Sequence, residues 1–246
     1  MFGIFIRKRF LADSLMGFVD MHNHLLPGLD DGAKTLEDSI SLIRGFSGIG
    51  VTNFIATPHI MDNYYPNNAH TIGNALAVVK KGLMDAGLGH ISIGAAAEHM
   101  IDANLDTLLD GGSVMPIKGN YLLVEMSYLQ PSINFKETIL KIADKRYYPI
   151  LAHPERYSFL RKESSKFKKY KERGILFQMN LLSLSNFYGK EVQKKAQILL
   201  EGGLIDFVGS DVHNEQQLEY LKNVKIDRKT ATLLRPILER TVQEFS

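Results

Sequence analysis

The chain has 246 residues, of which 45% are hydrophobic and 23% charged, and these proportions predict a folded protein with a sizeable core. Its formal net charge of +2 offers no broad positive surface, so a nucleic acid is not an expected partner. The sequence contains no cysteine, which excludes disulfides, thiolate metal ligands and mechanisms that use a cysteine nucleophile.

The N-terminal stretch MFGIFIRKRF has its apolar residues before its basic cluster, the reverse of the order in a secretory signal. No run in the chain approaches the roughly 18 apolar residues of a membrane span. We therefore expect a cytoplasmic protein without a transmembrane segment. Residues 1–17 are predicted to form an arm that packs on the fold, and docking of the first residues on a membrane surface is the alternative.

Short apolar, β-branched runs alternate with helix-like segments, and no linker separates one part of the chain from another. Strands are predicted at 18–24, 51–57, 91–98, 121–126, 149–153, 175–180 and 205–211. Helices are predicted at 35–50, with Thr35 as N-cap, and at 71–87, 132–145, 158–173, 187–202, 214–223 and 228–244. This alternation implies parallel strands joined by right-handed crossovers, so residues 18–246 are predicted to form a single α/β domain, a closed or nearly closed TIM-like barrel.

Histidines and carboxylates stand at the ends of these predicted strands, where α/β barrels carry their chemistry. They are His22, His24, Asp31, His59, Glu98, Glu125, His153, Asp211 and His213. Five of the eight histidines therefore share one predicted rim with four carboxylates. Like carboxylates repel one another, whereas several divalent cations would hold such a group together. The joint pattern predicts a site for more than one metal ion.

Each of these residues has a simpler interpretation when it is taken alone. A single histidine at a strand end is commonly a hydrogen-bonded structural residue, and Glu98 and Glu125 could pair with lysines. His70, His90 and His99 are predicted to be structural or exposed. Asp20 is predicted to accept a ring N–H from His22 and to fix its tautomer.

The motifs HNH, LPGLDDG, TPH, AHPERY and SDVHN resemble those of the polymerase and histidinol phosphatase (PHP) superfamily. More narrowly, LPGLDDG and HPERY resemble the manganese-dependent bacterial tyrosine phosphatases encoded with capsule and exopolysaccharide genes. The resemblance extends from Val19 to Asn214. It implies a distorted (β/α)7 barrel that carries three metal ions.

The resemblance also implies how the ligands are distributed. One ion would be held by His22, His24, Glu98 and Asp211; a second by Glu98, Glu125 and His153; and a third by Asp31, His59 and His213. Oxygen and imidazole donors without sulfur suit Mn²⁺, Fe or Zn²⁺, and the resemblance favours manganese.

Arg156, His59 and Asp211 are the residues expected to take part in catalysis. The related phosphatases commonly have an arginine shortly after the last histidine, but HNEQQLEYL has none, so Arg156 is expected to bind the phosphate. The alternatives for Arg156 are an ion pair with Glu155 or a surface position at the start of a helix. Tyr64 or Tyr65 could flank a phosphotyrosine ring.

The function that follows is hydrolysis of phosphotyrosine on a protein, with an autophosphorylated kinase of polysaccharide export as the implied substrate. The basic run at 161–173, with seven basic and two acidic residues, could receive an acidic kinase tail, although a solvated helix face is the simpler interpretation. The alternatives are another PHP enzyme such as a histidinol phosphate phosphatase, a nuclease-like activity, an amidohydrolase, or a non-catalytic metal-binding regulator. An amidohydrolase usually has a lysine at the rim of strand four, where this chain has Glu125.

Overall fold

The computed structural model describes residues 8–160 and 163–246. Its strands are β1 (Arg9–Phe10), β2 (Val19–Asp20), β3 (Asn53–Ala56), β4 (His59–Ile60), β5 (Ser92–Ala95), β6 (Glu98–Met100), β7 (Tyr121–Glu125), β8 (Tyr148–Ala152), β9 (Leu176–Asn180), β10 (Phe207–Gly209) and β11 (Lys225–Ile226). Its α-helices are α1 (Leu36–Ser47), α2 (Ala69–Asp85), α3 (Ala103–Gly111), α4 (Phe135–Asp144), α5 (Ser164–Glu172), α6 (Lys190–Glu201), α7 (Glu215–Asn223) and α8 (Arg228–Phe245).

The strands form a parallel α/β domain, as predicted. One sheet has six strands in the order β10-β9-β8-β7-β6-β4, and a second has three in the order β2-β3-β5. Each of the seven predicted strands overlaps an observed one, and the observed strands pair in parallel in chain order. The fold is therefore a single α/β domain built on a curled parallel sheet.

Two short breaks between strands carry the chain from one sheet to the other. The second predicted strand, 51–57, is observed as β3, and β4 follows it after Pro58, which has no N–H to donate. The third predicted strand, 91–98, is observed as β5, and its last residue begins β6 after a break at residues 96–97. Hydrogen bonds continue across the gap, since Ala96 N donates to Ala56 O at 2.8 Å and Glu98 N to Pro58 O at 3.1 Å. The two sheets are thus one curved surface.

The first and last strands of this surface approach each other at their carboxyl ends. Asp211 N donates to His22 O at 2.8 Å, and His24 N donates to Val212 O at 3.1 Å. Gly209 makes the approach feasible, because a Cβ at this position would lie 2.6 Å from the Cβ of His22. This contact places the end of β2, the first of these strands, next to the end of β10, the last of them.

Both faces of the curved sheet are covered by apolar side chains, as expected for buried parallel strands. Side chains of the inner cluster come mainly from the strands and include Val19, Met21, Leu123, Ile150, Ala152 and Phe207. The end of α8 joins this cluster, since the ring of Phe245 lies 4.9 Å from that of Phe207 and 5.6 Å from that of Tyr121. Because Tyr121 and Phe207 begin their strands, α8 covers the end opposite the strand termini that carry the predicted ligands.

Most predicted helices are found with shifts of at most three residues at their ends, and α1 begins as predicted at a Thr35 cap. The helix predicted at 158–173 is the exception, because α5 begins only at Ser164 and Ser158–Leu160 form a separate 3-10 helix. Thr35 Oγ1 accepts from Asp38 N at 3.2 Å, and the Asp38 carboxylate accepts from Thr35 N at 3.0 Å. Helix α3 was not predicted. Its signals are local, with Asp102 capping Leu105 N at the start and Gly112 in a left-handed conformation at the end.

Residues 9–15 pack against the rest of the chain. Strand β1 pairs antiparallel with β11, and Leu11 and Leu15 are fully buried in the main core. Residues 1–7 and residues 161–162 of the basic run lie outside the described residues. Among helices of the described ranges, none has both the length and the apolar character needed to cross a bilayer.

Replacing Gly209 by alanine should destabilise the fold, because the new methyl group would overlap with His22 where the first and last strands meet. We expect Gly209→Ala to lower the free energy of unfolding by about 1–3 kcal/mol, as overpacking does elsewhere. Urea unfolding followed by circular dichroism measures the change. Gly94→Ala in β5 is the matched control, since nothing lies within 4 Å of its Cβ position; equal stability losses in the two variants would contradict the explanation.

Candidate metal centre

The nine predicted ligands lie together at the carboxyl ends of the parallel strands. His22 and His24 follow β2, His59 and Glu98 begin β4 and β6, Glu125 ends β7, His153 follows β8, Asp211 and His213 follow β10, and Asp31 lies in the loop before α1. Four groups of these side chains bring their ligand atoms within 4.8 Å of one another. The structure thus gathers the whole predicted set at one end of the domain.

Glu98 lies at the centre of the cluster and is fully buried. Its Oε2 is 3.3 Å from His22 Nε2 and 3.1 Å from His59 Nδ1, while its Oε1 is 3.0 Å from His153 Nε2. Glu125 Oε1 also reaches His59 Nδ1, at 2.8 Å. The Glu98 carboxylate therefore lies close to three imidazoles that come from separate parts of the chain.

Asp211 and Asp31 extend the cluster toward its outer side. Asp211 Oδ1 lies 3.4 Å from His22 Nε2 and 3.3 Å from His24 Nε2. Asp31, which is half exposed, has Oδ1 at 3.5 Å from the Nε2 atoms of both His59 and His213. The cluster therefore runs from a buried interior to an open mouth.

The grouping of ligand atoms differs in detail from the distribution implied by the resemblance. The four groups are His24 with Asp31, His59 and His213; His22 with His24 and Asp211; His22 with Glu98 and His153; and His59 with Glu98 and Glu125. Because His22, His24, His59 and Glu98 each belong to two groups, neighbouring positions share ligands. The assignment of ligands to individual ions stays a prediction.

Several buried ligand atoms have no hydrogen-bond partner among the described residues. They are His22 Nε2, His24 Nε2, His59 Nδ1 and Glu98 Oε2. A buried polar atom without a partner costs about 1–3 kcal/mol, so four that face one another in the interior require an explanation. Coordination of divalent cations would satisfy all of them, and imidazole nitrogens with carboxylate oxygens form a suitable donor set.

The two histidines of the HNH motif are oriented by residues that the sequence did not single out. His22 Nδ1 lies 2.7 Å from Gln178 Oε1, and His24 Nδ1 lies 2.7 Å from Asp30 Oδ2. These acceptors place a proton on Nδ1 and leave the Nε2 lone pairs directed at the cluster. The sequence signals are weak: Gln178 is a polar residue inside a strand, and Asp30 is the first of an aspartate pair.

The LPGLDDG loop folds tightly against His24. A Cβ on Gly32 would lie 2.2 Å from His24 O, so only glycine fits at this position. The fold of the loop separates the roles of its two aspartates, because Asp30 is buried against His24 while Asp31 faces His59 and His213.

The prediction that Asp20 orients the ring of His22 is wrong. The Asp20 carboxylate instead accepts from Ser210 N at 2.8 Å and from Ser210 Oγ at 2.6 Å. Gln178 of β9 occupies the position beside the His22 ring. Asp20 therefore holds the junction between the first and last strands, and burial raises its pKa to about 6.

The carboxyls of Glu98 and Asp211 have strongly lowered pKa values despite their burial. Burial opposes ionisation of Glu98 and Asp211, but neighbouring imidazoles, His22 first among them, hold the pKa of both carboxyls well below the ordinary value. Ionised carboxylates are what metal binding requires.

The three remaining histidines lie outside the cluster, as predicted. His70 and His90 are exposed. His99 is buried, with Nδ1 3.3 Å from Leu123 O and Nε2 accepting from Met115 N at 3.3 Å. Burial lowers the pKa of His99 to about 4, so its ring is a neutral structural element.

Arg156 faces the cluster rather than Glu155. Its Nη1 donates to Asp211 Oδ2 at 2.8 Å, whereas the Glu155 carboxylate is buried and accepts from Asn180 N and Ser183 Oγ. The preceding His153 has a φ of 35°, and this left-handed turn directs the chain across the mouth of the cluster. The alternative ion pair between Arg156 and Glu155 is therefore wrong.

A cavity of about 410 Å³ opens above the cluster. His59, Glu125, Arg156 and His213 line it, together with aromatic and methionine side chains. Tyr65 stacks on His59 with ring centroids 5.4 Å apart and lines the cavity, whereas Tyr64 is 74% exposed. Of the two tyrosines singled out in the sequence, Tyr65 is placed to contact a ligand in the cavity.

Known proteins resemble this chain over most of its length. Residues 18–226 match the family described as capsular polysaccharide synthesis, CpsB/CapC. Tyrosine-protein phosphatase YwqE of Bacillus subtilis strain 168 is 30% identical over 198 residues, which cover 80% of this chain and 77% of the relative. Tyrosine-protein phosphatase CpsB of Streptococcus pneumoniae is 27% identical over 204 residues, which cover 80% and 83%.

Solved structures extend the likeness to three dimensions. One structure, from work on YwqE of Bacillus subtilis and CpsB of Streptococcus pneumoniae described as metal-dependent tyrosine phosphatases, matches with a TM-score of 0.80 and 26% identity over 92% of this chain and 94% of that one. An organophosphorus hydrolase from Deinococcus radiodurans shares the fold, with a TM-score of 0.53 and 10% identity over 99% and 100% of the two chains. The chain belongs to the capsular polysaccharide synthesis CpsB/CapC family.

Proposed function

We propose that this protein is a metal-dependent protein-tyrosine phosphatase. The observation that carries the proposal is the cluster of nine ligand side chains, with unpartnered buried donor atoms at its centre and Arg156 at its mouth. Such a cluster fits cations at its base and a phosphate at its opening. The relatives named as tyrosine-protein phosphatases support the same activity.

Three divalent ions, with manganese expected, would be held by the sets implied by the resemblance. These are His22, His24, Glu98 and Asp211; Glu98, Glu125 and His153; and Asp31, His59 and His213. Ions so placed would supply an activated water at neutral pH and would neutralise phosphate oxygens. The shared position of Glu98 among three imidazoles supports its role as a bridging ligand.

The chain's own residues would bind and orient the phosphate ester. The Arg156 guanidinium uses one N–H for Asp211, and its remaining donors suit phosphate oxygens. Tyr65, stacked on His59, lies where an aromatic leaving group would enter the cavity. A phenolate, whose conjugate acid has a pKa of about 10, leaves more readily than an alkoxide, so proton donation matters less here.

We also propose that residues 18–246 form a distorted (β/α)7 barrel with residues 1–17 as an arm. The order of the seven strands supports this arrangement, as do the backbone hydrogen bonds between the residues that follow β2 and β10. A barrel explains why ligands from both ends of the strand series share one cluster.

The proposed substrate is an autophosphorylated bacterial tyrosine kinase of polysaccharide export, which the protein would meet in the cytoplasm and through which it would associate with the membrane. The family's description as capsular polysaccharide synthesis supports this partner. Lys168 and Lys169, which are exposed on α5, provide a positive surface for an acidic kinase tail, whereas Lys166 and Lys171 are already paired with Glu163 and Asp206.

Purified protein is expected to hydrolyse p-nitrophenyl phosphate and a phosphotyrosine peptide, to stop when a chelator removes the ions, and to recover with Mn²⁺. Parallel assays with histidinol phosphate and single-stranded DNA distinguish the other PHP activities. Faster turnover of histidinol phosphate or DNA than of the peptide would contradict the proposed substrate class.

The matched controls separate the cluster from the rest of the protein. His22→Ala combined with Glu98→Ala should abolish activity and metal content together, because both residues lie at the centre. His70→Ala, at an exposed position outside the cluster, should leave both unchanged. Full activity in the double variant would refute the assignment.

Asp30→Asn should weaken metal binding without removing a ligand. Asp30 holds His24 through Nδ1, and loss of such an outer partner typically reduces metal affinity about 10–100-fold. Titration of metal-free protein with Mn²⁺, followed by calorimetry, measures the change. Asp38→Asn at the cap of α1 is the control, and an unchanged affinity in Asp30→Asn would show that this contact does not orient the ligand.

A further inference from the structure

The cavity above the metal cluster contains one guanidinium. Its described lining residues include no lysine and no arginine other than Arg156. The segment after His213 supplies Asn214 and Gln217 to the lining, but Asn214 caps α7 and the Gln217 side chain accepts from His213 N at 2.7 Å. Binding of phosphate oxygens by a guanidinium group therefore depends on how Arg156 is positioned.

Arg156 is held by two tyrosines from different loops. Its Cζ lies 4.3 Å from the ring centroid of Tyr128, in the loop after β7, and 4.2 Å from that of Tyr188, just before α6. Both distances are within the range of cation–π contacts. The guanidinium therefore has three partners, namely the ring of Tyr128, the ring of Tyr188 and the carboxylate of Asp211.

The two rings are themselves anchored. Tyr128 O accepts from Ser158 N at 2.9 Å and from Ser158 Oγ at 2.8 Å, which ties its loop to the segment after Arg156. Tyr188 packs against Phe187, which in turn packs on Tyr220 of α7, each at 4.9 Å between centroids. The guanidinium is thus set between two aromatic side chains, one from the loop after β7 and one from the segment between β9 and α6.

We propose that Tyr128 and Tyr188 are positioning residues that hold the Arg156 guanidinium so that its free N–H groups face the phosphate of the substrate. The proposal rests on the proposed phosphatase function. Arginine loses considerable rotamer freedom when it is fixed, and here that loss occurs on folding rather than on substrate binding. These two tyrosines, here called the clamp, also explain how phosphate is bound with one arginine among the described lining residues.

The test compares Tyr188→Leu with Tyr188→Phe, because phenylalanine keeps the aromatic face and leucine does not. Tyr188→Leu is expected to raise the KM for a phosphotyrosine peptide and the Kd for inorganic phosphate about tenfold, the scale of one lost cation–π contact. Tyr188→Phe should restore the parent values. Metal content should be the same in all variants, which separates the effect from damage to the cluster.

A double-mutant cycle with Arg156→Ala distinguishes positioning from a general structural role. In the Arg156→Ala background, Tyr188→Leu should produce no further loss of phosphate affinity, because no guanidinium is left to position. Tyr128→Leu, in a separate loop, repeats the comparison if Tyr188→Leu fails to fold. Tyr148→Leu, an exposed tyrosine at the other end of its strand, is the control.

Equal losses in Tyr188→Phe and Tyr188→Leu, or a full loss that persists without Arg156, would overturn the proposal. Binding of inorganic phosphate is measured by calorimetry on the metal-loaded protein, so it does not depend on turnover. If the protein bound phosphate as described but failed to hydrolyse the peptide, the proposed function would fail while the clamp remained.

Discussion

The burial of ionised carboxylates among imidazoles is the constraint on which the rest of this structure depends. Glu98 is inaccessible to solvent and lies close to His22, His59 and His153. The imidazoles offset the buried negative charge only when they are protonated, and protonated rings would repel one another, since the ring centroids of His24 and His213 are only 3.9 Å apart. Divalent cations resolve both problems, because they neutralise the carboxylates and accept the imidazole lone pairs.

The fold serves this constraint by bringing distant parts of the chain to one mouth. Parallel strands direct their carboxyl ends to the same side, and the close approach at Gly209 places Asp211 beside His22. Gly32 folds the LDDG loop onto His24, which separates the tasks of Asp30 and Asp31. At the opposite end, the aromatic contacts of α8 close the inner core. Tightly packed backbone, rather than flexible side chains, sets the geometry of the cluster.

The gathering of the nine side chains could be predicted because it depends on strand order and on side chains at strand ends, both visible in the local pattern. The partners of those side chains could not. Whether Asp20 or Gln178 contacts His22 depends on how the first strand lies against β9, and that distance is set by the curl of the sheet. The breaks between β3 and β4 and between β5 and β6 were not predicted, and neither was helix α3. The Tyr128 and Tyr188 contacts join three loops, which no local pattern relates.

Anomalous diffraction from crystals grown with Mn²⁺, recorded on both sides of the manganese absorption edge, tests the origin of this geometry most directly. The structure predicts manganese peaks within coordination distance of Glu98, Asp211 and the surrounding imidazole nitrogens, at more than one position. A well-ordered cluster with its side chains in the same places and no peak among them, at saturating Mn²⁺, would contradict the account.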